Sequence, residues 1–313
     1  MAAKSLQIGD NQLRGLVAQQ AYLFNQRYEG NQHDRYLYDG IYYALKNLLF
    51  EEQDSIYSLK GHDENGNIRG VSFSNTGEFI YSAGSDGRLL KWDFNNRTAA
   101  PIELADIESR NRLLRASSDG KWLVVTTDNN EILCYDMTSG GRRPLRITGH
   151  QGPVNDLVVG PNNQLLISVG RDRTLRAYLF NERRSQLYRS FDTEYHRMAL
   201  SGDGRLLALG SESGKVILMN TANVDQTMNL VPASDLPVTA LAFHPGRNLL
   251  AVGYGNGLVQ LFDMSNGWEK ARKMEVELTG HIAPVSSISF NQSGSFLASA
   301  SWDGTIQLWD FND

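Results

Sequence analysis

"SASWDGTIQLWD", Ser299–Asp310, sets small residues ahead of an Asp-Gly turn and then a short strand ending in Trp-Asp. Asp-Gly between strand-forming runs is a hairpin signal, because the turn needs residues that tolerate positive φ. The same frame recurs as "GSDGRLLKWD" (Gly84–Asp93), "TDNNEILCYD" (Thr127–Asp136), "GRDRTLRAYL" (Gly170–Leu179), "SESGKVILMN" (Ser211–Asn220) and "YGNGLVQLFD" (Tyr254–Asp263). Each copy ends in a large side chain: Trp92, Tyr135, Tyr178, Met219, Phe262 or Trp309, at spacings of 43, 43, 41, 43 and 47 residues.

Upstream of each frame lies a second hairpin, for example "VTALAFHPGRNLLAVGY" and "VSSISFNQSGSFLASAS". Its apolar runs lack strict alternation, as expected of strands covered on both faces. Four short strands per unit, repeating in the low forties, predict an all-β propeller. Three copies begin with Gly-His, at Gly61–His62, Gly149–His150 and Gly280–His281. With "GH", "SxxxD" and a terminal "WD" in register, the chain resembles the WD-repeat propellers over about residues 55–313.

That resemblance implies a buried hydrogen-bonded network in each complete blade. It joins His62, Ser82, Asp86 and Trp92 in the first copy, and His281, Ser299, Asp303 and Trp309 in the last. The third copy has His150, Ser168 and Asp172, with Tyr178 in the Trp place. A buried Asp needs such partners, since an unpaired buried charge is costly. Asn129, Ser213 and Asn256 replace the Asp elsewhere, and no Gly-His precedes them. Six blades are expected, with seven as the alternative. The last copy stops at its "WD", and family precedent would complete it with the strand "SIYSLKG", residues 55–61.

Residues 1–52 differ in kind. Leu13, Leu16, Val17, Gln20, Phe24 and Tyr28, then Leu37, Ile41, Leu45, Leu48 and Leu49, fall at helical spacing around a candidate N-cap at Asp34. This predicts an N-terminal helical hairpin over 1–52 and a propeller over 53–313. Such a pair leading into WD repeats resembles the C-terminal region of multidomain bacterial signalling proteins, which would make Met1 an internal boundary of a longer parent.

Composition narrows the function. A net charge of −5 provides no basic field for nucleic acid or anionic membrane, and charged residues at 21% with hydrophobic residues at 41% are those of a packed soluble domain. One cysteine, Cys134, excludes an intramolecular disulfide and suits a cytoplasmic setting; in "EILCYD" it reads as a small core residue. There is no "HExxH", "GxSxG" or Walker loop, and "GYGNG" (Gly253–Gly257) lies between strands rather than before a helix. His33, His196 and His244 lack metal-ligand spacing, and His244, in "FHPGR", is expected at a surface turn. No catalytic residue, metal or cofactor is assigned.

The expectation is a monomeric, non-catalytic platform for a protein or peptide partner; the alternatives are a structural assembly subunit or an enzyme using the central channel. The channel reading is disfavoured because the inner strands ("GVSF", "RMALS", "ALAF", "SISF") look apolar and small. Two sets of ring positions can be compared. Arg69, Arg112, Asn155, His196, Thr239 and Ser286 open the inner strands; Ser85, Asp128, Arg171, Glu212, Gly255 and Trp302 precede the turn Asp position. Arg69, Arg112, Arg171 and His196 would form a basic sector, with Trp302 as an aromatic anchor, both favoured at binding hot spots. The competing reading leaves the arginines solvated and packs Trp302 on its neighbour.

Overall fold

The computed structural model describes residues 59–311, apart from 64–65, 75, 97–98, 118, 142, 161–162, 233 and 292. The expected helical hairpin over 1–52 and most of the strand at 55–61 lie outside the described residues. Six antiparallel sheets follow one another along the chain. Blade 1 comprises β1 (Ile68–Phe73), β2 (Phe79–Gly84), β3 (Arg88–Asp93) and β4 (Ile102–Asp106). Blade 2 comprises β5 (Asn111–Ala116), β6 (Trp122–Thr127), β7 (Ile132–Asp136) and β8 (Leu145–Ile147). Blade 3 runs β9 (Val154–Val159), β10 (Leu165–Gly170), β11 (Thr174–Leu179) and β12 (Arg184–Ser190). Blade 4 runs β13 (Tyr195–Leu200), β14 (Leu206–Ser211), β15 (Val216–Asn220) and β16 (Thr227–Val231). Blade 5 is β17 (Val238–Phe243), β18 (Leu249–Tyr254), β19 (Val259–Asp263) and β20 (Arg272–Leu278). Blade 6 has three strands among the described residues, β21 (Val285–Phe290), β22 (Phe296–Ser301) and β23 (Ile306–Asp310).

In each blade the strands pair in chain order, so every connection is a hairpin and no strand crosses over. The turn between the second and third strands carries a positive-φ residue at one fixed place: Gly87, Asn130, Arg173, Gly214, Gly257 and Gly304, at +85°, +62°, +59°, +75°, +90° and +79°. Glycine fits there without steric cost. At Gly257 there is a second reason, since a Cβ would lie 2.5 Å from the carbonyl oxygen of His281 in the next blade.

The core lies between blades, which explains why the second strands show no alternation. Leu89 of blade 1 packs with Leu114, Leu123 and Tyr135 of blade 2. Val124 and Cys134 meet Leu157, Leu166 and Tyr178 of blade 3. Ile167 and Leu175 meet Tyr195, Leu207 and Met219 of blade 4. Ala208 and Leu218 meet Leu250 and Phe262 of blade 5, and Ala251 and Val259 meet Ile288 and Leu297 of blade 6. Each fully buried Leu or Val contributes about 1.5–3 kcal/mol. These seams set the relation of blade to blade and hold the first strands in a common orientation. Cys134 is fully buried, and that burial pushes its thiol pKa up.

The network residues meet where the resemblance places them. In blade 6, His281 Nδ1 donates to Asp303 at 2.9 Å, Ser299 Oγ donates to His281 Nε2 at 2.8 Å, and Trp309 Nε1 donates to Ser299 Oγ at 3.0 Å. Blade 1 repeats this: His62 to Asp86 at 2.9 Å, Ser82 to His62 at 2.7 Å, Trp92 to Ser82 at 2.7 Å. In blade 3 His150 joins Asp172 at 3.0 Å and Ser168 at 2.8 Å, while the Tyr178 ring packs edge-on against Phe180, 5.3 Å away. Burial pushes the Asp86, Asp172 and Asp303 carboxyls up, but the hydrogen bonds they accept outweigh it and hold all three below the usual range.

His244 corrects the sequence expectation. It is buried: its Nδ1 accepts from the amides of Gly246 and Arg247 at 3.0 and 2.8 Å, and its Nε2 donates to the Gly294 carbonyl of blade 6 at 3.0 Å. The imidazole thus closes its own turn and ties it to the neighbouring blade. Burial lowers its pKa.

Candidate functional site

The ladder between the first two strands of each blade skips one residue. Ile68 and Gly70 pair with Gly84 and Ala83, which leaves Arg69 as the extra residue of a β-bulge. The same break falls at Arg112, Asn155, His196, Thr239 and Ser286. A bulge re-aims its side chain while the rest of the strand keeps its register. All six bulged residues line one central cavity of about 740 Å³. In blades 5 and 6 the hydroxyls of Thr239 and Ser286 donate to the carbonyls of Gly253 and Ala300, at 3.2 and 3.1 Å. In the other four blades the position carries a longer polar side chain.

Four residues of the second set also line this cavity: Asp128, Arg171, Glu212 and Trp302. The backbone fixes three of them, since the Asp128, Arg171 and Trp302 amides donate to the carbonyls of Arg110, Pro153 and Pro284, at 3.0, 2.9 and 3.0 Å. Ser85 and Gly255 are absent from its lining. The five residues assigned from sequence to partner binding, Arg69, Arg112, Arg171, His196 and Trp302, therefore all line this one cavity.

The expected basic sector is in part neutralised. Arg112 donates to Asp128 at 2.8 Å. Arg171 lies 3.8 Å from Glu194, and His196 lies 3.6 Å from Glu194 and 3.9 Å from Glu212. Asn155 Nδ2 donates to Glu194 at 2.9 Å. Trp302 is half-buried.

Deeper in the cavity the expectation of apolar, small inner strands fails on blades 2 to 4. Arg115 of β5 donates to Asp156 of β9 at 3.2 Å. The other carboxylate oxygen of Asp156 accepts from the Met198 amide of β13 at 3.1 Å. Arg197 then donates to the Thr239 carbonyl of β17 at 2.7 Å. Polar contacts thus cross three consecutive seams along the cavity wall. Their trace in the sequence is a charge inside an otherwise apolar strand, as in "RLLRA", "NDLVV" and "HRMAL". Among the described residues no cluster of three or more His, Cys, Asp or Glu side chains could hold a metal ion.

Radial blades, a repeated His–Ser–Asp network and one shared cavity define an all-β, WD-repeat, propeller-like fold. The family description "WD domain, G-beta repeat" matches residues 53–93, 141–178 and 272–310, the three repeats that carry Gly-His. "Anaphase-promoting complex subunit 4 WD40 domain" matches residues 198–282. Among similar proteins, "Periodic tryptophan protein 2" of Arabidopsis thaliana is 28% identical over 228 residues, 72% of this chain and 24% of that protein. "Echinoderm microtubule-associated protein-like 4" of Homo sapiens is 22% identical over 254 residues, 80% of this chain and 25% of that protein. The chain thus spans about a quarter of the length of either relative. A chain in "Crystal Structure of Mitotic Checkpoint Complex" superposes with a TM-score of 0.69 at 18% identity, covering 84% of this chain and 83% of that one. The named relatives are eukaryotic, so they lend no support to the expected likeness to bacterial signalling proteins.

Proposed function

We propose that the chain is a non-catalytic interaction platform whose docking face is the cavity mouth ringed by Arg69, Arg112, Asn155, His196, Thr239 and Ser286. One observation carries this reading: six equivalent bulges bring side chains of four chemical kinds (guanidinium, amide, imidazole and hydroxyl) to one cavity. The scaffold is repetitive and the presented chemistry is not, which is what selective recognition requires. A protein or peptide partner suits an opening that mixes arginine, carboxylate, hydroxyl and indole groups. A cytoplasmic setting and a monomeric isolated chain belong to the same proposal, as does membership of a larger regulatory protein.

The test is affinity capture from the source cells with wild type and with Arg69→Glu/Arg171→Glu, the captured proteins being identified by mass spectrometry. Loss of a defined set of partners from the variant is the expected result. Equal capture by both forms would remove the cavity mouth as the docking face.

A further inference from the structure

Blade 3 completes its network differently from blades 1 and 6. There the indoles of Trp92 and Trp309 donate to Ser82 and Ser299, at 2.7 and 3.0 Å. Blade 3 carries Tyr178 instead, so Ser168 Oγ keeps its bond to His150 at 2.8 Å but receives no second donor among the described residues. A cavity of about 10 Å³ lies at this place, lined in part by Asn130, His150, Ser168, Arg176 and Tyr178. That is room for a single water molecule.

Two of the lining residues carry a buried polar atom with no hydrogen-bond partner among the described residues: Asn130 Oδ1, an acceptor, and Arg176 Nε, a donor. Folded proteins rarely leave such atoms unpaired. Both residues reach the same loop. Asn130 holds the positive-φ turn place of blade 2, at +62°. A side chain added at the equivalent Gly257 of blade 5 would meet the His281 carbonyl of the next blade, so Asn130 is aimed at the Gly149–His150 loop of blade 3. Arg176 lies against that loop too, since a Cβ added to Gly149 would fall 2.6 Å from its Nη1. Burial lowers the His150 pKa, and the nearby Arg176 charge lowers it further.

We infer that the seam between blades 2 and 3 binds one water molecule, which accepts from Arg176 Nε–H, donates to Asn130 Oδ1 and Ser168 Oγ, and so takes the place of the indole N–H. Three polar partners are the usual number for a buried water. An anion would pair with Arg176 but would meet the Asn130 oxygen, so the mixed set of donor and acceptors selects a neutral ligand. The site is independent of the docking face.

The experiment is a crystal structure of the full chain at a resolution that orders single waters, paired with oxygen-17 relaxation dispersion, which counts long-lived waters in solution. One peak within about 2.7–3.2 Å of Arg176 Nε, Asn130 Oδ1 and Ser168 Oγ is expected. Tyr178→Trp should fill the cavity, give Ser168 an indole donor, remove the peak and lower the count by one. Asn130→Ala and Arg176→Met should each lower the melting temperature, and the double variant should lose less than the two losses summed, because both remove the same water. A wild-type cavity without density, a peak that bromide replaces, or a count unchanged in Tyr178→Trp would overturn the inference. So would strictly additive losses in the Asn130 and Arg176 variants. If Tyr178→Trp did not fold, the wild-type map and the Asn130–Arg176 cycle would still decide.

Discussion

Removing the Asp303 carboxylate should cost far more stability than its place in a surface turn suggests. Its side chain is only 4% exposed and serves four donors: His281 Nδ1 at 2.9 Å, the Ile282 amide at 3.0 Å, the Thr305 amide at 2.8 Å and Thr305 Oγ1 at 2.6 Å. In Asp303→Ala, Ile282 can turn to water, but the His281 side chain is wholly buried and its Nδ1–H is stranded save for the Thr305 hydroxyl 3.2 Å away. One charge-assisted hydrogen bond lost, plus one stranded buried donor, amounts to about 3 kcal/mol. At about 2–4 °C per kcal/mol for a domain of this size, the melting temperature should fall by about 6–12 °C. Asn256→Ala is the internal control. Asn256 holds the same turn position in blade 5, is exposed, and among the described residues accepts only from the Leu258 amide, at 3.1 Å, so its loss should cost under about 1 kcal/mol. Scanning calorimetry of wild type and both variants decides the matter. If Asp303→Ala melted no lower than Asn256→Ala, the buried network would be decoration rather than support.

Acid should destabilise the fold in two stages. His150 and His244 are held below the usual histidine pKa chiefly by burial, so their contribution is complete above about pH 6.5 and is lost as pH falls further, where the unfolded chain binds the extra protons. Asp86, Asp172 and Asp303 titrate below their unfolded value, so a second loss should begin below about pH 4; a urea midpoint equal at pH 7.5 and pH 5 would contradict the first stage. Asp156→Ala strips acceptors from Arg115, Leu157 and Met198 and should lower stability by about 2 kcal/mol, with Asp156→Asn recovering part of it. An unchanged urea midpoint for Asp156→Ala would show that the cavity wall needs no polar tie.

The six repeats were legible because a turn residue, an apolar run and a large terminal side chain recur at nearly constant spacing. The networks were legible for a related reason: His, Ser, Asp and Trp occupy fixed offsets within a repeat, so local register brings them together. Both sets of ring positions could also be aligned from sequence. What alignment could not supply is the bulge that turns Arg69 and its counterparts inward, because a skipped rung leaves no compositional mark. That skip also shifts the phase of the rest of each inner strand, so Arg115, Asp156 and Arg197 could not be assigned to the cavity wall by counting alternate residues. His244 was misjudged because "HPG" reads as a solvent turn. The buried carbonyl of Gly294 that it meets lies 50 residues away and becomes its neighbour only when blade 6 docks on blade 5.

If the proposed docking face is the right one, the bulge places recognition where architecture makes almost no demand. Among the six equivalent positions, two hydroxyls bond to the second strand of their own blade and the others carry guanidinium, amide or imidazole groups, yet the backbone course is the same in every blade. Substitution there can change what the molecule selects without disturbing how it stands. A family of variants differing at those six sites alone would therefore sample many specificities on one unchanging frame.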